Sequence, residues 1–283
     1  GYSGLIPFSR PDQLIKIINN MINISFMMVK INNSDIVEFI GAFFLTAVVI
    51  GSGIMAENLS PGNHAVSLLG NTIATGAILF VLIKSFSSIS GAHFNPVVSL
   101  VFLIKKELTL STFLKYIIFQ FFGALLSVLV VHYYFDQQLF QISTNFRGEE
   151  KSLISEIVAT FGLMTTILFV RKYNPKDVAT AVALFITAGY WFTSSTSFAN
   201  PAVTIARMFT DTFTGIDPSS VVYFIIGQII GALLASYSYK KLSIEIFENS
   251  FKKDQIKIKE RKDSHLPPLP LETKYSTLIA RST

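Results

Sequence analysis

The sequence contains no cysteine, which excludes disulfides, thiolate metal centres and cysteine nucleophiles. Charge is scarce as well: Asp, Glu, Lys and Arg make up 14% of the residues, against about 25% in soluble domains. So few ionic groups cannot cover a water-facing surface of ordinary composition. No Ser-His-Asp, metal-ligand or phosphate-loop spacing occurs, and His64, His93, His132 and His265 do not cluster at ligand spacing. An enzyme, a bound metal and a cofactor are therefore not expected.

What is abundant is apolar sequence, 51% of the chain. Apolar runs near 36–55, 64–84, 112–135, 153–170, 177–195 and 219–239 each approach the ~20 residues with which a helix crosses ~30 Å of hydrocarbon. These runs lack the two-residue alternation of a membrane barrel strand. The formal charge of +5 reads as topology rather than nucleic-acid binding, because Lys and Arg lie mostly in connections and termini instead of on one amphipathic stripe. Lys105, Lys106, Arg171, Lys172, Lys176, Lys240 and Lys241 place their connections and both termini in the cytoplasm by the positive-inside rule. The expectation is a multi-pass plasma (inner) membrane protein surrounded by lipid. Residues 1–35 read as an N-terminal cytoplasmic segment, 1–27 of it lying upstream of a start at Met27 or Met28. Residues 36–240 read as the membrane domain, and 241–283 as a disordered cytoplasmic tail.

The chain is written twice. Glu38-Phe-Ile-Gly, then His93-Phe94-Asn95-Pro96, then Gln120-Phe-Phe-Gly123-Ala124 recur in order as Glu156-Ile-Val-Ala, Phe198-Ala199-Asn200-Pro201 and Gln228-Ile-Ile-Gly231-Ala232. Each half, 36–135 and 153–239, carries three spans, an odd number, so the second copy enters the membrane from the opposite side. Such an inverted repeat brings its interrupted segments together near the midplane. Residues 95–104 and 200–209 are too short to span and too apolar for an aqueous loop, which makes them re-entrant half-helices. Pro at the first helical position loses no hydrogen bond, and Asn before it is a favoured N-cap. The fold class expected is an all-α bundle of six transmembrane helices plus two re-entrant half-helices. The two half-helix N-termini, each carrying roughly +0.5 charge, would meet at mid-membrane and repel cations.

At these residues the chain resembles the aquaporin and glycerol-facilitator family of membrane channels, over about 36–240. The resemblance implies an aquaporin-like channel domain with a pore in each subunit of a homotetramer. It implies that Asn95 and Asn200 are paired donors at the pore midplane, within the triplets Asn95-Pro96-Val97 and Asn200-Pro201-Ala202. Glu38 and Glu156 would brace the re-entrant loops by accepting their backbone N–H groups, with the His93 side chain packed behind the wall. Carbonyls around Gly91 to Phe94 and Ser197 to Ala199 would form a ladder of acceptors.

Two positions depart from the family pattern. Val97 replaces the usual Ala, and Val203 stands where most members have an Arg directly after the second triplet. By family spacing the remaining constriction would be built from Thr75, Ala188 or Gly189, and Ser197 or Phe198, mostly small residues around Val203, and a wide mouth follows. Arg207, one turn beyond Val203, either serves the outer vestibule or pairs with Asp211, and the pair is the simpler reading. Tyr190 and Trp191 read as an interfacial belt, and Gly123-Ala124 and Gly231-Ala232 as close helix crossings. The window Asn200 to Arg207 resembles a bacterial branch often linked with arsenic resistance.

The function expected is passive passage of small neutral solutes, namely metalloid acids such as arsenite, glycerol or urea, and water, with ions and protons excluded. A water-selective aquaporin is the alternative, followed by a coupled secondary transporter and a membrane scaffold with a sealed pore.

Overall fold

A computed structural model of the chain describes the backbone of residues 30–263 and the side chains of 30–243. The expectations for 1–27 and 264–283 lie outside the described residues.

Eight α-helices follow one another among the described residues: α1 Asn33–Leu59, α2 His64–Ser90, α3 Pro96–Ile104, α4 Leu110–Tyr134, α5 Glu150–Tyr173, α6 Val178–Phe192, α7 Pro201–Arg207 and α8 Pro218–Asp263. The sequence of lengths, two long helices, a short one and a long one, occurs twice. Local signals set several ends. Asn32 starts α1 in a capping box, donating its backbone N–H to Asp35 at 2.8 Å, and Asn63 and Thr109 accept backbone N–H groups at the starts of α2 and α4. Gly91 closes α2 at φ +86°, a left-handed position that suits a residue without a Cβ.

Four helices and the Pro218–Ser243 part of α8 are long and apolar enough to cross a membrane. Large apolar side chains such as Ile73, Val81, Phe122, Leu126 and Leu184 face outward, whereas Glu38, Thr46, Asn71, Gln120, Glu156 and Gln228 are buried. This apolar exterior and partly polar interior belong to a bundle whose solvent is lipid. The helix α6 has 15 residues, shorter than the run 177–195. A 3₁₀ turn at Pro175–Asp177 precedes it. At Thr193 the chain turns extended, its hydroxyl bonding Gly189 O at 2.7 Å. The chain leaves the helix there because it must turn back into α7.

The helix α1 packs on α2 and α4, α2 on α6, and α5 on α6, while the tips of α3 and α7 touch. Gly123 of α4 rides against the backbone carbonyl of Phe39, and Gly231 of α8 against that of Ile157, so closely that a Cβ at either would overlap the carbonyl. These equivalent crossings, flanked by the fully buried Ala124 and Ala232, let helix backbones meet directly.

The described residues up to Ser236 form one compact unit, and those from Tyr237 to Asp263 belong to a second. In the second unit the backbone remains helical through Asp263, where composition suggests a mobile tail. Lys and Glu recur along this stretch, and they are good helix formers.

Candidate functional site

The segments leading into the two half-helices are strained in the same way. Ala92 and Phe94 in the first, and Thr196, Ser197 and Ala199 in the second, have φ between 48° and 60°. Each such non-glycine residue costs about 1–2 kcal/mol. Buried carboxylates hold both segments. Glu38 accepts from the backbone N–H of His93 at 2.9 Å and of Phe94 at 2.6 Å, from Ser90 Oγ at 2.6 Å and from Gln120 Nε2 at 2.7 Å. Glu156 accepts from Phe198 N at 3.0 Å, Ala199 N at 2.8 Å and Gln228 Nε2 at 2.7 Å. Both are fully buried, and every contact presents a donor, the surrounding that suits a carboxylate accepting through both oxygens.

Each glutamine also reaches the half-helix behind the loop: Gln120 Nε2 donates to Ser99 Oγ at 3.1 Å, and Gln228 Nε2 to Thr204 Oγ1 at 2.9 Å. Sequence reasoning assigned no role to these four polar residues. Their repeat equivalence, a Gln before each Gly-Ala and a hydroxyl three residues after each Pro, is the signal that identifies them.

Asn95 and Asn200 cap their half-helices, Oδ1 of Asn95 accepting from Val97 N at 3.1 Å and Oδ1 of Asn200 from Ala202 N at 3.0 Å. Pro96 and Pro201 occupy the first helical positions. The amide groups then cross: Asn95 Nδ2 donates to Ala199 O at 2.7 Å, and Asn200 Nδ2 to Phe94 O at 2.9 Å. This reciprocal pair ties the two inverted halves together and leaves each amide one further proton. Val97 and Ala202 are both 1% exposed, so the additional methyls of Val97 are spent in packing.

A cavity of about 630 Å³ runs past this junction. At one end stand Lys84, Glu107, Arg171 and Lys176; the walls include Leu45, Leu79, Leu163 and Ile186. Asn95 and Asn200 line its middle, and Thr75, Tyr190, Ser197, Phe198, Val203 and Arg207 its far end. A second cavity of about 560 Å³ continues beyond, bordered by Glu57, His64, Asn71, Arg147, Asp211 and again Arg207. Arg207 thus stands at the boundary between the two.

The far end differs from expectation in three respects. On α6, Ala188 is exposed on the outside, and Gly189 is packed against Ser197, whose Oγ a Cβ would meet at 2.6 Å. Neither lines the cavity. Tyr190 does: it is buried, its hydroxyl 3.1 Å from Thr75 Oγ1, which corrects its reading as a belt residue, whereas Trp191 faces outward. Successive helical residues turn by about 100°, so a one-residue offset exchanges wall for lipid face. Helical phase could have found it, since Val182, Ile186 and Tyr190 form an i, i+4 row along the cavity.

Secondly, Arg207 does not pair with Asp211. Asp211 accepts instead from the backbone and hydroxyl of Thr144, at 2.8 and 3.1 Å. Arg207 is 2% exposed, donates Nε–H to Thr214 O at 2.5 Å, and lays its guanidinium 3.4 Å from the centre of the Phe198 ring. Thirdly, Arg147 of the connection between α4 and α5 joins this group, 5.3 Å from the same ring, with Nε bonded to Gly215 O at 2.6 Å and Nη2 to Phe213 O at 2.9 Å. Burial pushes its pKa down to about 10, so it stays a cation at neutral pH. No spacing in the sequence points to Arg147.

His93 stacks on Phe102 at 4.7 Å and bonds Ser99 Oγ through Nδ1 at 3.0 Å. Half-buried, it sits against the half-helix yet still borders the cavity.

Comparison with known proteins agrees with this geometry. Residues 25–176 match the model of the family described as major intrinsic protein. The chain is similar to the aquaglyceroporin AqpS of Rhizobium meliloti, 46% identical over 200 residues that cover 71% of this chain and 85% of that protein. It is also similar to aquaporin AqpM of Methanothermobacter thermautotrophicus, at 29% identity over 77% of this chain and the whole of that one. In fold it is similar to the X-ray structure of the aquaglyceroporin from Plasmodium falciparum, with a TM-score of 0.60 at 20% identity, covering 76% of this chain and 98% of that one.

Proposed function

The chain belongs to the major intrinsic protein family, and from that premise we propose that it conducts small uncharged solutes passively across the plasma membrane: metalloid acids such as arsenite, glycerol or urea, and water. Its helices make it a multi-pass membrane protein, with both termini assigned to the cytoplasm from the Lys and Arg distribution. A homotetramer in lipid is the assembly that the family resemblance suggests.

One observation carries the reading: the crossed amides of Asn95 and Asn200 border a continuous cavity, each with one proton left for whatever passes. A neutral solute exchanges water hydrogen bonds for these donors and for loop carbonyls, while the apolar wall opposite asks for nothing, and its barrier stays low. A cation sheds hydration against the converging N-terminal ends of α3 and α7 and is rejected. The transporter alternative needs an exchangeable carboxylate in the path, and the two deep ones, Glu38 and Glu156, already accept three or four donors each. The name aquaglyceroporin carried by its relative AqpS favours solutes beyond water.

Stopped-flow light scattering on proteoliposomes tests this. Shrinkage under an impermeant osmolyte followed by fast re-swelling in glycerol and in arsenite at neutral pH is the expected result. Shrinkage without re-swelling makes the protein water-selective, uptake that follows a pH gradient makes it a coupled transporter, and no flux through folded protein makes it a scaffold.

A further inference from the structure

The position after the second triplet is Val203, which by itself leaves the far end of the cavity without a cationic donor. Arg207 lies four residues on, about 6 Å along the helix axis and some 40° around it. Helical side chains lean toward the N-terminus of their helix, so Arg207 tilts back over the turn that begins at Val203, and the short valine leaves the room it occupies. Val203 and Arg207 accordingly line the same end of one cavity.

The guanidinium there is buried, and only its Nε–H is bonded, to Thr214 O. Among the described residues neither Arg207 nor Arg147 forms an ion pair with a carboxylate. The terminal nitrogens of Arg207 therefore offer donors at the boundary of the two cavities, and Tyr190 and Thr75 line the first cavity with it. Phe198, under both guanidinium groups, supplies the cation–π face that orients them. Arg147 is tied to two carbonyls of the segment that also carries Thr214. It fixes the partner of Arg207 and, by like charge, keeps the second guanidinium from swinging outward.

We infer that the solute filter of this protein is set by Arg207 and Tyr190, one turn beyond the usual arginine position, with Arg147 as a positioning residue and Val203 as the space that admits the displaced guanidinium. The filter takes neutral solutes with oxygen acceptors, which replace their lost water on the guanidinium, and rejects cations at a second point besides the half-helix junction. This inference rests on the channel reading above.

The test uses the full chain in proteoliposomes and reads the ratio of glycerol to water permeability together with proton leak under a pH gradient. Arg207→Met keeps length and removes donors and charge. The expected result is a ratio lowered by about tenfold, the effect of losing a charge-assisted hydrogen bond, with a raised proton leak, while Val203→Ala moves the ratio by less than about twofold, as loss of apolar contact alone does. Tyr190→Phe, which keeps the ring and removes only the hydroxyl, lowers the ratio about threefold, in line with one neutral hydrogen bond, and serves if Arg207→Met does not fold. Arg147→Met shifts the ratio the same way and Arg147→Lys restores part of it; a merely structural role would reduce the yield of folded protein without moving the ratio. If Val203→Ala changes the ratio more than Arg207→Met or Tyr190→Phe, or if neither of those two moves it in a conducting protein, the inference is overturned while the channel reading stands. Absence of any flux in the unaltered chain overturns both.

Discussion

Replacing Glu156 by Gln tests the idea that a buried carboxylate holds a strained loop in place. The two side chains have nearly the same shape, so packing is preserved and only hydrogen-bond polarity changes. Glu156 uses one oxygen for Phe198 N–H at 3.0 Å and the other for Ala199 N–H at 2.8 Å and Gln228 Nε2 at 2.7 Å. A glutamine can place its oxygen at the second site and keep two of the three bonds, but its NH₂ then faces the Phe198 N–H, donor against donor. An orphaned buried donor costs about 1–3 kcal/mol, and the two surviving bonds lose their charge assistance, a further ~1–2 kcal/mol. The left-handed residues Thr196, Ser197 and Ala199 give the loop somewhere lower in energy to relax to, so the penalty is not absorbed without movement. A loss of roughly 2–5 kcal/mol corresponds to a drop in Tm of about 5–15 °C for a chain of this size. Thermal unfolding in detergent, followed by tryptophan fluorescence of Trp191 and by aggregation, measures it. Permeability of the variant at low temperature should fall without acquiring dependence on a pH gradient. A Tm within about 2 °C of the unaltered protein would refute the bracing argument, and flux that followed the pH gradient in the parent and vanished in the variant would assign Glu156 to proton coupling instead.

Substituting Asn95 and Asn200 by Ala, singly and together, should give a coupling energy of about 0.5–2 kcal/mol in a double-mutant cycle of thermal stability, because their bonds share one junction; additive effects would mean the two halves are not tied there. Gly123→Ala should destabilise by about 1–3 kcal/mol, since its Cβ overlaps the Phe39 carbonyl, and Gly231→Ala should match it; unfolding curves of the two variants make the comparison. Val203→Arg should add a third guanidinium to Arg207 and Arg147, so glycerol permeability falls, and adding Arg207→Met should recover part of it, as stopped-flow re-swelling would read. At the other mouth, Arg171 lies 2.5 Å from Glu107, with Lys105 at 3.4 Å. Burial opposes ionisation of Glu107, yet the hydrogen bond and charge of Arg171 together with Lys105 hold its pKa below the ordinary value of 4.5. A carboxyl with a depressed folded-state pKa stabilises the protein above its unfolded pKa and loses that contribution as pH falls through the folded one. The group is largely exposed, so under ~1 kcal/mol is at stake. Glu107→Gln should lower Tm slightly at pH 7, with the gap closing below about pH 4.

The amino-acid sequence determined whatever depends on neighbours along the chain. The length of apolar runs settles which segments cross lipid, and an Asn-Pro step starts a helix by its own capping and ring geometry. A three-span motif written twice must invert, and the paired Glu and Gln landmarks repeat because each loop needs the same acceptor. Those signals point to Asn95, Asn200, Glu38 and Glu156 from the chain alone. Tertiary structure alone decided the far end of the cavity. Whether α6 presents Gly189 or Tyr190 inward turns on a rotation of about 100°, set by how α6 packs on α2 and α5, and the unbroken apolar sequence of a membrane helix leaves that rotation unmarked. Partner choice for long cations was equally hidden: Arg207 has Asp211 one turn away, yet the fold gives Asp211 to Thr144 and hands Arg207 the Phe198 ring and the Thr214 carbonyl. Arg147 reaches the same ring from a distant connection. Helical spacing says which residues share a face, but only the packing of α6, α7 and their loops says what that face meets.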